Sequence, residues 1–157
     1  MIRKRLFALL GLPLLMLACE KDNVPFVEIK GIEGLIYQSI KAYRISNGED
    51  GSFVHQYFMV GEAQTYSLKM AYGIEVVGTQ GLDEHWDALN EKYNFYNPHA
   101  LVLQTTSVDE DEILTQLLEI PGSDTTLLAD VTQCGVGVES DSAGVHYVTI
   151  LLAKADS

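Results

Sequence analysis

The chain predicts an α+β domain in which helices pack around a small, mainly antiparallel sheet that ends in a β-hairpin. Three observations carry this reading. Apolar residues recur at helical spacing through the first two thirds of the chain, β-branched residues concentrate in two runs of the last third, and those runs flank a polar turn containing glycine.

The first element is residues 31–45, GIEGLIYQSIKAYRI, where Ile32, Leu35, Ile36, Ile40 and Tyr43 fall on one stripe of a 3.6-residue period. Ser46 to Gly51 stops this helix, because Asn and Gly adopt turn geometry at little cost. A second helix is predicted over about 60–72, burying Ala63, Tyr66, Met70 and Ala71 and ending at Gly73. Ile74 to Val77 has the composition of a short strand. Leu82 to Tyr93 carries Trp86, Leu89 and Tyr93 at helical spacing, and Asn94 to Pro98 reads as the loop that breaks it.

Ala100 to Leu103 is a continuous apolar run, as a central strand would be. Ser107 to Glu112 reads as a capped helix start whose acidic residues face the positive end of the dipole, and that helix runs to about Leu118, before Pro121. Val131 to Val138 and Val145 to Ala153 form the predicted terminal hairpin around Glu139 to Gly144. No internal repeat or low-complexity tract interrupts this order.

The first nineteen residues have a different logic. Arg3, Lys4 and Arg5 precede an apolar run of 12 residues, Leu6 to Leu17, which stops at Ala18-Cys19. Such a run is long enough for export but short of the ~20 residues that span a bilayer. This is the layout of a bacterial lipoprotein signal, with cleavage before Cys19 and Cys19 as the lipid-bearing residue. The predicted organisation is residues 1–18 as signal peptide, 19–29 as lipidated Cys and tether, and 30–157 as one folded domain. Lys21-Asp22 resembles the charged tag with which some bacteria send lipoproteins to the cell surface. The expected location is therefore the cell envelope, anchored in the outer membrane or at the cell surface by the N-terminal lipid.

Loss of the leader removes three of the 10 Lys and Arg while all 22 Asp and Glu remain, so the formal charge moves from −12 to −15. A surface that acidic repels nucleic acid, and no nucleic-acid partner is expected. With Cys19 lipidated, Cys134 has no partner for an intrachain disulfide. Its strand-like setting, Val131 to Val136, predicts a buried thiol that packs as a small hydrophobe.

Four segments, in order, resemble the CAP superfamily of cysteine-rich secretory proteins, antigen-five allergens and pathogenesis-related proteins. Ile36 to Arg44 followed by Asn47-Gly48 resembles the family's first helix, which ends in Tyr-Arg and a Gly turn. Ala63 to Gly73, with Tyr66-Ser67 and Met70-Ala71, is similar to the second helix. Glu112 to Ser123, with Pro121-Gly122, follows the helix and Ser-Pro-Gly-His turn, and Cys134 to Leu151, with Gly135-Val-Gly137, resembles the closing hairpin. The resemblance covers about residues 30–154 and implies an α-β-α sandwich.

Members of that family typically carry two His and two acidic residues around a cleft that holds a divalent metal. This chain departs from the pattern. Thr79, in Gly78-Thr79-Gln80-Gly81, stands where the first imidazole would be, Ser123 stands where the second would be, and Leu101 to Gln104 replaces the strand that supplies a carboxylate. Hydroxyls and aliphatic side chains are poor donors at the about 2.0–2.3 Å that a transition metal requires, so no metal and no other cofactor is expected. The resemblance places the cleft near Thr79, Gln80, His85, Trp86, Gln104 and Ser123. His55, His85, His99 and His146 lack ligand spacing and are expected at the surface or a cleft edge.

A catalytic reading needs a nucleophile and a base. Ser123 can be drawn with His85 or His146, but there is no Gly-x-Ser-x-Gly elbow, no Cys-His pair with a polar context and no phosphate-cradling Gly loop. The run Asp109 to Glu112 lacks the spacing of a calcium loop. The expectation is a non-catalytic binding or interaction module of the envelope, taking a small apolar or lipid ligand or an envelope protein. The alternatives are an envelope hydrolase and a purely structural lipoprotein.

Overall fold

The computed structural model describes residues 27–155. The expected signal peptide, the expected lipidation residue Cys19 and most of the expected tether lie outside those residues. Nine elements follow in order: α1 (Gly31–Ser46), β1 (Val54–His55), α2 (Tyr57–Ala71), α3 (Asp83–Tyr93), β2 (Phe95–Thr105), α4 (Glu110–Leu118), α5 (Ser123–Leu127), β3 (Gln133–Ser140) and β4 (His146–Ala155). The strands form one mixed sheet in the order β1-β3-β4-β2, antiparallel except for the short parallel pair of β1 and β3. The α+β class and the terminal hairpin are as the sequence predicts.

Strand alternation divides the core. On β4, Val148, Ile150 and Leu152 face a cluster with Ile36 and Ile40 of α1, Ile113 and Leu117 of α4, and Leu127 of α5. Tyr147, Leu151 and Ala153 face the other way, against Met59, Ala63, Tyr66 and Met70 of α2 and Leu89 of α3. Helices thus cover both faces of the sheet. The approach of α2 depends on Gly135 and Gly137 of β3, since a Cβ at either would overlap the backbone of Met59 or Ala63. Ser67 sits at that contact, with Oγ 3.0 Å from the Gly137 carbonyl and 2.8 Å from Thr149 Oγ1.

The observed elements differ from the predicted ones at several places. Ile74 to Val77 is not a strand; with no neighbouring strand to pair with, it forms a turn in which the N–H groups of Ile74 and Glu75 both donate to the Lys69 carbonyl. Asn94 to Pro98 is largely strand: Asn94 closes α3 in the left-handed region, and β2 begins at Phe95 with a bulge between Tyr96 and His99 where Asn97 has φ +52°. On α1 the buried stripe is Glu33, Ile36, Tyr37, Ile40 and Arg44, and Leu35 is exposed. β1 and α5 are too short to leave a periodic signal.

Candidate functional site

The residues singled out in the sequence lie on both sides of the sheet. Thr79 and Gln80 are exposed in the loop after α2, which is pinned from both ends by Tyr66: its hydroxyl donates to the Gly78 carbonyl at 2.8 Å and accepts the Gly81 N–H at 3.2 Å. His85 and Trp86 occupy the first turn of α3 on the same side. Gln104 is exposed near the end of β2, in register with Tyr147, and so points to the α2 and α3 face. Ser123 is on the opposite face, at the start of α5, buried, with no hydrogen-bond partner for Oγ.

His85 is buried rather than at a cleft edge. Its Nδ1 lies 2.7 Å from Glu62 Oε2, and its Nε2 lies 3.2 Å from Lys69 Nζ. An ammonium can only donate, so Nε2 accepts from Lys69 and Nδ1–H donates to the carboxylate, which fixes the neutral tautomer. Both ring nitrogens are thereby committed to α2, and the histidine ties α3 to α2 beside their apolar contact. Tyr66 packs edge-on against the ring at 5.3 Å, and burial raises its phenol pKa.

A groove of about 270 Å³ forms elsewhere, at the end of the hairpin, between β3–β4, the start of α1 and the segment leading into α4. The hairpin turn builds one wall. Asp141 Oδ1 accepts the N–H groups of Ala143 and Val145 at 2.9 and 3.0 Å, which hold its carboxyl below the usual range and set Ser140 opposite His146. Ser140 Oγ and His146 Nδ1 are 2.6 Å apart. Lys30 forms the other wall; its Nζ donates to the Val138 carbonyl at 2.6 Å and pairs with Glu139. Ile32, Val108 and Val138 supply apolar lining, with Ser107 at the rim. Sequence reasoning missed this groove because Lys30 and Glu139 meet across 109 positions, although Glu33 on an apolar helix stripe hinted at a built-in polar contact there.

The sequence matches no protein-family model and no curated protein. The fold, however, has a counterpart. The chain is similar in fold to an outer surface protein from Borrelia burgdorferi. The likeness has a TM-score of 0.66, spans 83% of this chain and 97% of that protein, and comes with 12% sequence identity. At that identity it is a likeness of fold. Among the described residues no helix is long and apolar enough to cross a membrane, and no group of three or more His, Cys, Asp or Glu is placed to hold a metal.

Proposed function

We propose that the chain is a lipid-anchored protein of the bacterial envelope whose CAP-like domain acts as a non-catalytic binding module. The observation that carries this reading is the near-complete overlap with an outer surface protein, 97% of whose chain is matched by this fold. The leader ending at Cys19 agrees with it, since it supplies a means of anchoring. A binding role, rather than a purely structural one, is favoured by the groove: apolar Ile32 and Val108 beside Lys30, Ser107 and His146 is the mixture by which a pocket grips an apolar body and orients a polar end. The ligand class is a small apolar or amphipathic molecule with a polar head, or an apolar side chain of an envelope protein.

Thermal unfolding of residues 20–157 after chelation tests it, with decanoate as the amphipathic probe and zinc, magnesium and calcium added separately. A ligand that binds only the folded state raises the midpoint. The expected result is a rise with decanoate that Val108→Asp abolishes. A rise with zinc alone would instead point to a metal-dependent protein.

A second reading is an envelope hydrolase, and the Ser140–His146 contact favours it in place of the Ser123 pairings drawn from sequence. It predicts covalent labelling of Ser140 by a fluorophosphonate and loss of labelling in His146→Ala. Absence of labelling leaves the binding module.

A further inference from the structure

The longest exposed apolar feature of the described residues follows the end of α2. Tyr72, Ile74 and Val76 are 74%, 69% and 80% exposed, and Leu68 and Val77 flank them. Within residues 70–82 the single charged side chain is Glu75, in a chain of formal charge −12. Glu75 turns back into the domain, with its carboxylate against Gly81 and near the Tyr66 ring, so the outer edge of the turn is uncharged.

The backbone entering this turn, from Tyr72 to Glu75, is also internally paired. The N–H of Tyr72 donates to the Leu68 carbonyl, that of Gly73 to Met70, and those of Ile74 and Glu75 to Lys69, at 2.8–3.2 Å. Four successive donors are thus satisfied without water. Paired N–H groups over 72–75 lower the cost of bringing Tyr72 and Ile74 to an apolar medium, where unpaired ones are costly. A protein partner imposes no such cost, since its own polar groups can pair with an edge.

The position of the chain's anchored end completes the argument. Val27 packs on α2 against Gly61, and Gln64 donates to the Glu28 carbonyl. Eight chain steps separate Cys19 from Val27, a reach of at most about 26–29 Å. The helix from Gly61 to Tyr72 rises only about 16 Å. A lipid on Cys19 and the turn at 72–77 therefore reach one bilayer. We infer that the turn 72–77 is a second membrane contact, in which Ile74 and Val76 enter the interface of a zwitterionic bilayer and Tyr72 sits at headgroup level. This rests on the lipid-anchored reading above. It differs from the groove, which takes a ligand and not a surface.

The test uses the full chain, purified from membranes and reconstituted in phosphatidylcholine vesicles, with an environment-sensitive fluorophore at Val76→Cys and, as control, at Ile45→Cys on the end of α1. Cys134 is fully buried and does not compete for label. Mass spectrometry first reads whether Cys19 carries lipid. The expected result is apolar emission at position 76, quenched at least twofold by lipid-borne spin labels and unchanged by high salt, with neither effect at position 45. Aqueous emission at position 76 in a lipidated chain overturns the membrane contact. Apolar emission that lipid-borne quenchers leave untouched also overturns it and assigns the turn to a protein surface. If Cys19 carries no lipid, the anchor reading has failed on its own, and labelled Cys19→Ser chain added to preformed vesicles decides the turn by the same quenching.

Discussion

The carboxylate of Glu33 accepts the backbone N–H of Val138 at 3.0 Å, joining the first turn of α1 to the exposed edge of β3. β1 pairs only with the beginning of β3, at Gln133 and Cys134, so Val138 lies beyond the shelter of a neighbouring strand. Side chains take the place of that strand. Glu33 meets the Val138 N–H while Lys30 meets its carbonyl, and Glu33 Oε2 also accepts from the Lys30 N–H at 2.7 Å and from Gln64 Nε2 at 2.8 Å. Burial raises the Glu33 pKa, and these donors oppose the rise. The buried carboxylate thus protects the sheet edge where β1 does not reach.

Removing that carboxylate strands its donors. Glu33→Ala is expected to destabilise the domain by ~3 kcal/mol, because buried donors without partners cost about 1–3 kcal/mol each and water can reach only some of them. Glu33→Gln keeps one acceptor and the volume, and should lose about half as much. Urea unfolding at pH 7 separates the two; equal losses would mean that side-chain packing, not hydrogen bonding, is what Glu33 contributes.

Gly137→Ala is expected to destabilise by ~3 kcal/mol, since the new methyl meets the backbone of Ala63 and Gln64 and neither can yield without lifting α2 from the sheet. Gly31→Ala, in the first turn of α1 with nothing near its Cβ, should stabilise by about 0.5 kcal/mol through helix propensity. Denaturation midpoints of the two variants check this contrast. A mild Gly137→Ala would mean that α2 is not held at that spacing.

Much of this fold is legible because it is local. The helices of α1, α2 and α3 follow from apolar periodicity, and the hairpin from two β-branched runs around a turn whose Asp141 pairs with its own backbone. What is not legible is long-range. Ile74 and Val76 have strand composition, yet no strand lies beside them, so they remain exposed in a turn. His85 looks like a free imidazole in sequence, whereas Glu62 and Lys69, both on α2, engage its two nitrogens. Gln104 follows an apolar run and Ser123 a Pro-Gly turn, and only the sheet's alternation and the position of α5 reveal that they occupy opposite faces.

Ser123 carries a buried hydroxyl whose oxygen lacks a partner. Its replacement by Ala removes an unsatisfied polar atom without opening a cavity. Stability should rise by ~1 kcal/mol, visible as a higher urea midpoint with an unchanged slope. A fall would show that the hydroxyl holds a group the fold needs.

His55 contributes a distinct part of the domain's response to acid. Its ring stacks on Tyr37 at 4.5 Å, its Nε2 is buried without a partner, and burial lowers its pKa from 6.5 to about 4. Above pH 6.5 neither the folded nor the unfolded chain protonates this ring, and it has no effect on the balance. Between pH 6.5 and 4 the unfolded chain takes up the proton and the folded chain does not, so stability falls as pH falls; below about 4 both are protonated and the loss is complete. The interval corresponds to about 3 kcal/mol. His55→Phe keeps a ring on Tyr37 and removes the proton, so the stability of the variant relative to the wild type should climb steadily from pH 7 to pH 4. Urea unfolding at pH 7, 5.5 and 4 measures that difference, which cancels the titration of Glu33 and every other group the two chains share. A flat difference would place water or a hydrogen-bond partner on Nε2 in solution and return His55 to an ordinary, solvated histidine.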